Sequence, residues 1–139
     1  MKVLFDSSAL FKRYAGEAGA AQVTAAHERA SAVVLAAHCH VEVVSALTRQ
    51  WREGAFEDGE YRRIRARIRE DFDAYRVEPL SRGVEDFALA ALALAPLRAM
   101  DALHVATAQS ARVQLFVTAD RRQAAAAQAV GLKTELVEA

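Results

Sequence analysis

The stretch Lys2-Val3-Leu4-Phe5-Asp6-Ser7-Ser8 joins a short apolar run to an aspartate and two hydroxyl side chains. The stretch Leu115-Phe116-Val117-Thr118-Ala119-Asp120 has a similar order near the other end of the chain. A short apolar run that stops at turn-forming residues is typical of a buried strand. The sequence therefore predicts strands over residues 2–5 and 114–118, each followed closely by an aspartate.

Between these two strands, short β-branched runs alternate with segments of helical periodicity. Further strands are predicted over residues 32–35, 76–80 and 132–137, and Pro79 favours a sheet edge for residues 76–80. Ser7 or Ser8 is predicted to cap a first helix. Later helices are predicted over residues 17–30, 40–53, 57–75, 84–94, 101–112 and 121–130. This alternation indicates an α/β fold with a mostly parallel sheet.

Length and composition limit the class of protein. The 139 residues fit one domain, residues 1–139, and a hydrophobic content of 53% is typical of a globular chain. A formal net charge of zero disfavours a strongly basic, unselective nucleic-acid binder. With Cys39 as the single cysteine, no intrachain disulfide can form. The first residues resemble neither a signal peptide nor a membrane span, so we expect no membrane association and a cytoplasmic location.

Acidic residues lie at or inside four apolar segments, namely Asp6, Glu42, Asp101 and Asp120. Parallel sheets bind ligands at the carboxyl ends of their strands, where Asp6 and Asp120 are expected. Asp101 is expected to start a helix that leads back into strand 114–118, and a right-handed crossover begins such a helix at the same edge. Glu42, one or two turns into its own helix, lies within reach. Four carboxylates gathered there predict a site for Mg²⁺ or Mn²⁺.

Each acid also has a purely structural interpretation. Helix capping alone would account for Asp6, Asp101 and Asp120, the last as a capping box with Gln123. Glu42 would instead pair with Arg49 or His38 on the helix surface. For any single acid the two interpretations are equally acceptable, but the convergence of all four at one edge favours a functional site.

Several other polar residues are candidates for that edge. Ser8 and Thr118 carry hydroxyls that would either orient metal ligands or cap turns. Residues placed to hold phosphates, or else to act as ordinary surface charges, are Lys12, Arg13, Arg121 and Arg122. The triplet His38-Cys39-His40 is not expected to bind zinc, because consecutive side chains do not face one another. His104 follows Asp101 by three residues, and the structural role is the more common one for such a histidine.

Four segments resemble the motifs of the PIN-domain nucleases, specifically the small toxins of the VapBC toxin–antitoxin type. The first two are Asp6-Ser7-Ser8-Ala9-Leu10 and Val41-Glu42-Val43-Val44-Ser45-Ala46-Leu47. The third, Asp101-Ala102-Leu103-His104-Val105-Ala106-Thr107-Ala108, is the most specific match. The fourth is Val117-Thr118-Ala119-Asp120-Arg121-Arg122. The motifs occur in order over essentially the whole chain, so the resemblance is strong.

The resemblance implies a three-layer α/β/α sandwich around a mostly parallel sheet of about five strands. It further implies a metal-dependent endoribonuclease that hydrolyses RNA phosphodiester bonds, a homodimer, and inhibition by a small antitoxin. Asp6 and Asp101 would be direct metal ligands, Asp120 a ligand or water-orienting group, and Glu42 a group acting through a bound water. The alternative is a non-catalytic PIN-like module that binds RNA or protein and keeps its acids for structure.

Overall fold

The computed structural model describes residues 1–138, in which parallel strands form one central sheet. The five strands are β1 Lys2–Phe5, β2 Ala32–Ala36, β3 Arg76–Glu78, β4 Leu115–Thr118 and β5 Thr134–Leu136. Their order in the sheet is β3-β2-β1-β4-β5. The two apolar stretches that predicted buried strands therefore lie side by side at its centre, and β3 is an edge strand as Pro79 indicated.

Seven helices cover the two faces of this sheet in the described part of the chain. They are α1 Ser7–Ala15, α2 Ala20–Arg29, α3 Cys39–Arg52, α4 Asp58–Ala74, α5 Arg82–Leu94, α6 Ala99–Ala111 and α7 Arg121–Ala129. Alternate residues of β1 face opposite layers, because side chains alternate along a strand. Val3 and Phe5 pack with α1 to α4, whereas Leu4 packs with α6 and α7. The predicted three-layer α/β/α sandwich is confirmed.

Three helix starts differ from the sequence-based prediction. Asp6, rather than Ser7 or Ser8, caps α1, because its extended backbone lets its carboxylate accept from the Ala9 amide. Helix α6 begins at Ala99, after the break imposed by Pro96, so Asp101 lies inside the first turn and is neither the helix start nor its cap. Helix α2 begins only after Gly19, whose φ of 94° is left-handed.

The apolar stripe along α4 belongs to the core. Tyr61, Ile68 and Phe72 are buried in the cluster that also contains Val3 and Phe5. Among the described residues, no single helix is long and apolar enough to cross a membrane. Helices α5 and α6 reach such a length and apolar character only when taken together, and they are bent by 120° relative to one another.

The pairing of β1 with β4 fixes the position of the residues that follow them. Phe5 is opposite Val117 in the parallel register, and the Asp6 amide donates to the Val117 carbonyl oxygen at 3.0 Å. The chain therefore leaves both central strands at the same edge of the sheet. Asp6 and Thr118 become direct neighbours although 112 positions separate them in sequence.

Candidate functional site

Hydrogen bonds join the two segments that leave the central strands. Ser8 Oγ donates to Asp6 Oδ1 at 2.7 Å and accepts from the Ala119 amide at 3.1 Å. Thr118 Oγ1 donates to Asp6 Oδ2 and accepts from the Asp120 amide at 3.0 Å. Both hydroxyls named from the sequence therefore contact the Asp6 carboxylate, and the same bonds hold the two segments together.

Asp6 lies beneath the surface of this edge. Its side chain is fully buried, and its Oδ1 also accepts from the Ala9 amide at 2.9 Å. Burial raises the pKa of the Asp6 carboxyl, although the nearby His104 and the bonds from Thr118, Ala9 and Ser8 act in the opposite direction. Asp6 therefore caps α1, and at the same time its carboxylate is shielded from the water that would otherwise stabilise its negative charge.

Asp101 and Asp120 lie at the amino ends of α6 and α7, and Gln123 contacts both of them. Asp120 caps α7 by accepting from the Arg122 amide at 2.8 Å and the Gln123 amide at 3.3 Å. Both bonds go to Oδ1, so capping uses one of its two carboxylate oxygens. Gln123 does not return a bond to complete a capping box; its Nε2 donates to Asp101 Oδ1 at 3.2 Å instead.

The surroundings of Asp101 are mainly acidic. Burial raises the pKa of its carboxyl, and the negative charges of Asp120, Asp6 and Glu42 raise it further. Glu42, Asp101 and Asp120 line one cleft, and Asp6 is joined to this group through Thr118, which contacts both the Asp6 carboxylate and the Asp120 amide. Gln123, which contacts both Asp101 and Asp120 and is almost fully buried, was not identified from the sequence. The sequence predicted Gln123 only as the capping-box partner of Asp120.

Glu42 lies in the first turn of α3 and accepts hydrogen bonds from two directions. Ser7 Oγ and His104 Nε2 each lie 2.7 Å from its Oε1, and His38 Nε2 lies 3.3 Å from the same oxygen. Burial raises the pKa of Glu42, but the bonds from His104 and Ser7 outweigh burial and lower it to about 2. The sequence suggested the pair with His38, whereas the contacts of Ser7 and His104 were missed.

Three of the four acids open onto a cleft of about 1020 Å³ between the starts of α6 and α7, whereas Asp6 is buried and does not line it. The segment from Pro96 to Met100 forms one wall. The charged residues that line it are three acids and three arginines, namely Glu42, Asp101, Asp120, Arg98, Arg121 and Arg122. Negative groups at the floor and arginines at the rim are suited to a cation and an anionic ligand bound together.

The basic residues predicted to contact phosphates separate into two pairs. Arg121 and Arg122 line the cleft. Arg13, by contrast, lies 3.4 Å from Asp71 and 3.3 Å from the Tyr75 hydroxyl, and Lys12 donates to the Ala18 carbonyl oxygen. Lys12 and Arg13 therefore have partners within the protein, in the last turn of α1 and beyond it, and a phosphate contact for either residue stays a prediction.

The residues that fit a hard divalent ion are the oxygen donors of this edge. Asp6, Asp101 and Asp120 offer carboxylates whose mutual repulsion a cation would reduce, and Glu42 lies beside them. The buried Oε1 of Gln123 also has no hydrogen-bond partner within residues 1–138. Oxygen-rich donor sets of this kind suit Mg²⁺ or Mn²⁺.

Comparisons with solved structures agree with the fold of this chain. The sequence has no match among curated proteins. The structure is similar to a toxin-antitoxin complex from Klebsiella pneumoniae, with a TM-score of 0.72, 18% identity and coverage of 98% of both chains. It is similar to FitAcB from Neisseria gonorrhoeae, with a TM-score of 0.74, 15% identity and coverage of 95% of both chains.

A third similar structure is VapC20 of Mycobacterium tuberculosis, which is described as a sarcin-ricin loop cleaving toxin. Its TM-score is 0.68 at 20% identity, over 89% of this chain and 94% of the other. At these identities the three structures establish the fold alone. The family model of the PIN domain matches residues 3–129, a range that contains all four acids. The chain therefore belongs to the PIN domain family.

Proposed function

We propose that this protein is a divalent-metal-dependent endoribonuclease that hydrolyses RNA phosphodiester bonds and serves as the toxin of a toxin–antitoxin pair. The observation that carries the proposal is the cluster of four carboxylates beside a cleft with an arginine rim. Membership in the PIN domain family supports the same activity. The whole chain, residues 1–139, would act as one nuclease domain, and its cytoplasmic location stays a prediction.

Asp6 and Asp101 are the proposed direct ligands of Mg²⁺ or Mn²⁺, with Asp120 as a further ligand or a group that orients water. When bound, such an ion supplies positive charge beside the phosphodiester and lowers the pKa of a coordinated water. Ser8 and Thr118 hold the Asp6 carboxylate in one orientation through their hydrogen bonds. Orienting a ligand in this way preserves the geometry that metal binding needs.

Glu42 is proposed to orient a water molecule. The bonds from Ser7 and His104 keep its carboxylate ionised, since they lower its pKa to about 2. An ionised carboxylate accepts hydrogen bonds from water but does not donate them. Arg121 and Arg122 lie at the rim of the same cleft, where their guanidinium groups would hold the RNA backbone against the acids.

The test is cleavage of total RNA by protein stripped of metal, before and after addition of Mg²⁺ or Mn²⁺. We expect cleavage only with the ion, and we expect Asp6→Asn and Asp101→Asn to lower its rate by at least about 10²-fold. Asp86→Asn on α5 is a matched control, because Asp86 is exposed and does not line the cleft. Full activity in both active-site variants would disprove the assignment.

The same titration distinguishes the alternative of a non-catalytic PIN-like module that binds RNA or protein. Such a module would bind RNA in the presence of Mg²⁺ or Mn²⁺ and would release no cleaved product. Mapping the cleavage sites on total RNA then identifies the substrate. Folding of each variant has to be verified first, because Asp6 also caps α1.

The proposed antitoxin partner has a fitting surface between α3 and α4. This groove of about 1110 Å³ is lined in part by the apolar side chains of Val41, Val44 and Ala66. Its rim carries the arginines Arg49, Arg52, Arg62, Arg65 and Arg69. An acidic segment with apolar side chains on one face is complementary to such a surface. Where the adjacent reading frame encodes a small protein with such a segment, adding that protein should suppress RNA cleavage.

The proposed homodimer is supported by apolar side chains left exposed on α5 and α6. Phe87, Leu89, Leu94 and Met100 are each at least 41% exposed. Large apolar side chains exposed on a small domain are suited to an interaction surface. Light scattering should give about twice the chain mass of 15.1 kDa, and a particle mass equal to one chain would contradict the dimer.

A further inference from the structure

Two histidines converge on the carboxylate of Glu42. His104 Nε2 lies 2.7 Å and His38 Nε2 3.3 Å from the same oxygen, Oε1. The donor atoms of these three residues all lie within 4.8 Å of one another. His38 and Glu42 are four residues apart, so they share one face at the start of α3, and His104 reaches them from α6.

The donor set differs in kind from the neighbouring all-oxygen cluster. Two imidazole nitrogens and one carboxylate suit Zn²⁺ and similar transition-metal ions, whereas Mg²⁺ prefers oxygen ligands. His104 is almost fully buried, and its ring lies against that of His38 with centroids 4.3 Å apart and the ring planes tilted by 42°. The two ligands are thus held close together before any ion binds.

We propose that His38, Glu42 and His104 form a binding site for a transition-metal ion such as Zn²⁺. Three protein ligands leave a fourth position of a tetrahedral site open to water, or to the adjacent Ser7 hydroxyl, which lies 2.7 Å from Glu42. Because Nδ1 of His104 has no partner within residues 1–138, this ligand lacks the usual supporting hydrogen bond. The site should therefore bind zinc more weakly than a structural zinc centre does.

Zinc bound at this site would affect RNA cleavage, an inference that rests on the proposed function. Glu42 belongs both to this donor set and to the proposed catalytic acids. A zinc ion held by Glu42 would withdraw that carboxylate from orienting water at the magnesium site. Zinc is therefore expected to inhibit RNA cleavage even when Mg²⁺ is present in excess.

Zinc binding is measured directly by isothermal titration of metal-stripped protein in the presence of excess Mg²⁺. Wild-type protein should bind one Zn²⁺ per chain, and His38→Gln should weaken binding by more than about tenfold. His40→Gln is the matched control, because His40 stacks on Phe72 at 4.5 Å and does not face Glu42. Absence of zinc binding in wild type, or an equal loss in His40→Gln, would overturn the site.

The inhibitory role has a separate readout. Zinc inhibition is measured as a fraction of each protein's own rate in Mg²⁺ alone, and His38→Gln should need more than about tenfold higher zinc for half-inhibition. Zinc binding without any RNA cleavage would leave the site intact and reject the proposed nuclease. Cleavage that persists with zinc bound would reject the inhibitory role.

Discussion

Asp71 and Asp101 are both partly buried aspartates on helices, yet their surroundings are opposite. Asp71 accepts from the Tyr14 hydroxyl at 2.7 Å and from Arg13 at 3.4 Å. Asp101 accepts from Gln123 at 3.2 Å, and three further carboxylates contribute negative charge around it. An acid surrounded by donors stabilises the fold. An acid surrounded by acids opposes folding and is a candidate for function.

The pKa values of Tyr14, beside Asp71, and of Asp101, beside Asp120, are raised by different neighbours. Burial raises the pKa of Tyr14, and its bond to Asp71 raises it further, so the hydroxyl stays protonated as a donor. Burial also raises the pKa of Asp101, but there the next contribution is repulsion by Asp120. The pair of Tyr14 and Asp71 is stable without any ligand, whereas the pair of Asp101 and Asp120 would gain stability from a bound cation.

The largest expected effect on stability comes from breaking the Asp71 cluster. Asp71→Ala leaves the Tyr14 hydroxyl, on a side chain only 5% exposed, without its acceptor. Because an unpaired buried donor is costly, the free energy of unfolding should fall by about 1–3 kcal/mol. Urea denaturation in EDTA measures this loss, and RNA cleavage per folded molecule should not change.

A double-mutant cycle separates the hydrogen bond from other effects of Asp71→Ala. Tyr14→Phe removes the donor itself, so adding it to Asp71→Ala should cost less than it costs in wild type. If the two substitutions are additive, the bond between Tyr14 and Asp71 makes no measurable contribution. Asp71 would then no longer serve as an example of an acid that stabilises the fold, in contrast to Asp101.

Asp101→Asn is expected to have a smaller effect of the opposite sign. The substitution removes one of the four mutually repelling charges and retains an oxygen that can accept from Gln123. In EDTA the free energy of unfolding should rise by a few tenths to about 1 kcal/mol. Mg²⁺ should stabilise wild-type protein more than this variant, and thermal melts with and without the ion measure the difference.

The pH dependence of stability in wild type and in Asp101→Asn tests whether charge repulsion causes the higher free energy of unfolding of the variant. The pKa of Asp101 is raised above its ordinary 3.8, so its contribution to stability is present below pH 3.8 and is lost as pH rises through the raised value. Asp101→Asn lacks this loss. The stability difference between variant and wild type should therefore grow as pH rises from 4.5, and a difference independent of pH would contradict the repulsion.

Starting above pH 4.5 keeps Glu42 from complicating that measurement. Its pKa is lowered from 4.5 to about 2, so its contribution is present above pH 4.5 and is lost only as pH falls towards 2. Glu42 is also common to both proteins. The difference between them then reports the carboxyl of Asp101.

Much of this site was predictable because the sequence determines where strands end. Asp6 and Asp120 follow apolar runs that pair as adjacent parallel strands, so strand order alone brings them together. Asp101 was expected at the same edge from the direction of its crossover, although α6 starts two residues earlier than predicted. Backbone topology was sufficient for these three residues.

The contacts of Glu42 could not be predicted in the same way. Ser7 and His104 reach it from α1 and α6, so their distances depend on how these two helices pack against α3. His38 precedes Glu42 by four residues at the start of the same helix, and it is the partner of the three that the sequence suggested. Consecutive histidines were correctly expected to diverge, since His38 faces the acids and His40 faces Phe72. Sequence periodicity could not show that the ring of His38 would lie against the ring of His104 on α6.

The smallest expected effects concern the arginines, and they extend the comparison to RNA. Arg121 and Arg122 lie at the cleft, whereas Arg13 belongs to the Asp71 cluster, although the sequence favoured the same role for all three. Replacing Arg121 by Ala should change stability by less than about 0.5 kcal/mol, since its bridge to Glu138 is exposed. Its effect should appear in binding, because each lost phosphate contact lowers the salt dependence of affinity.

For single-stranded RNA, Arg121→Ala and Arg122→Ala should each reduce the slope of log affinity against log salt by about 0.7. Fluorescence anisotropy in EDTA measures this slope without cleavage. Arg13→Gln is the informative control, because it should destabilise the fold and leave the slope unchanged. If Arg13→Gln lowers the slope as much as Arg121→Ala does, RNA crosses the Asp71 cluster as well, and the division between a structural and a functional acid no longer corresponds to two separate surfaces.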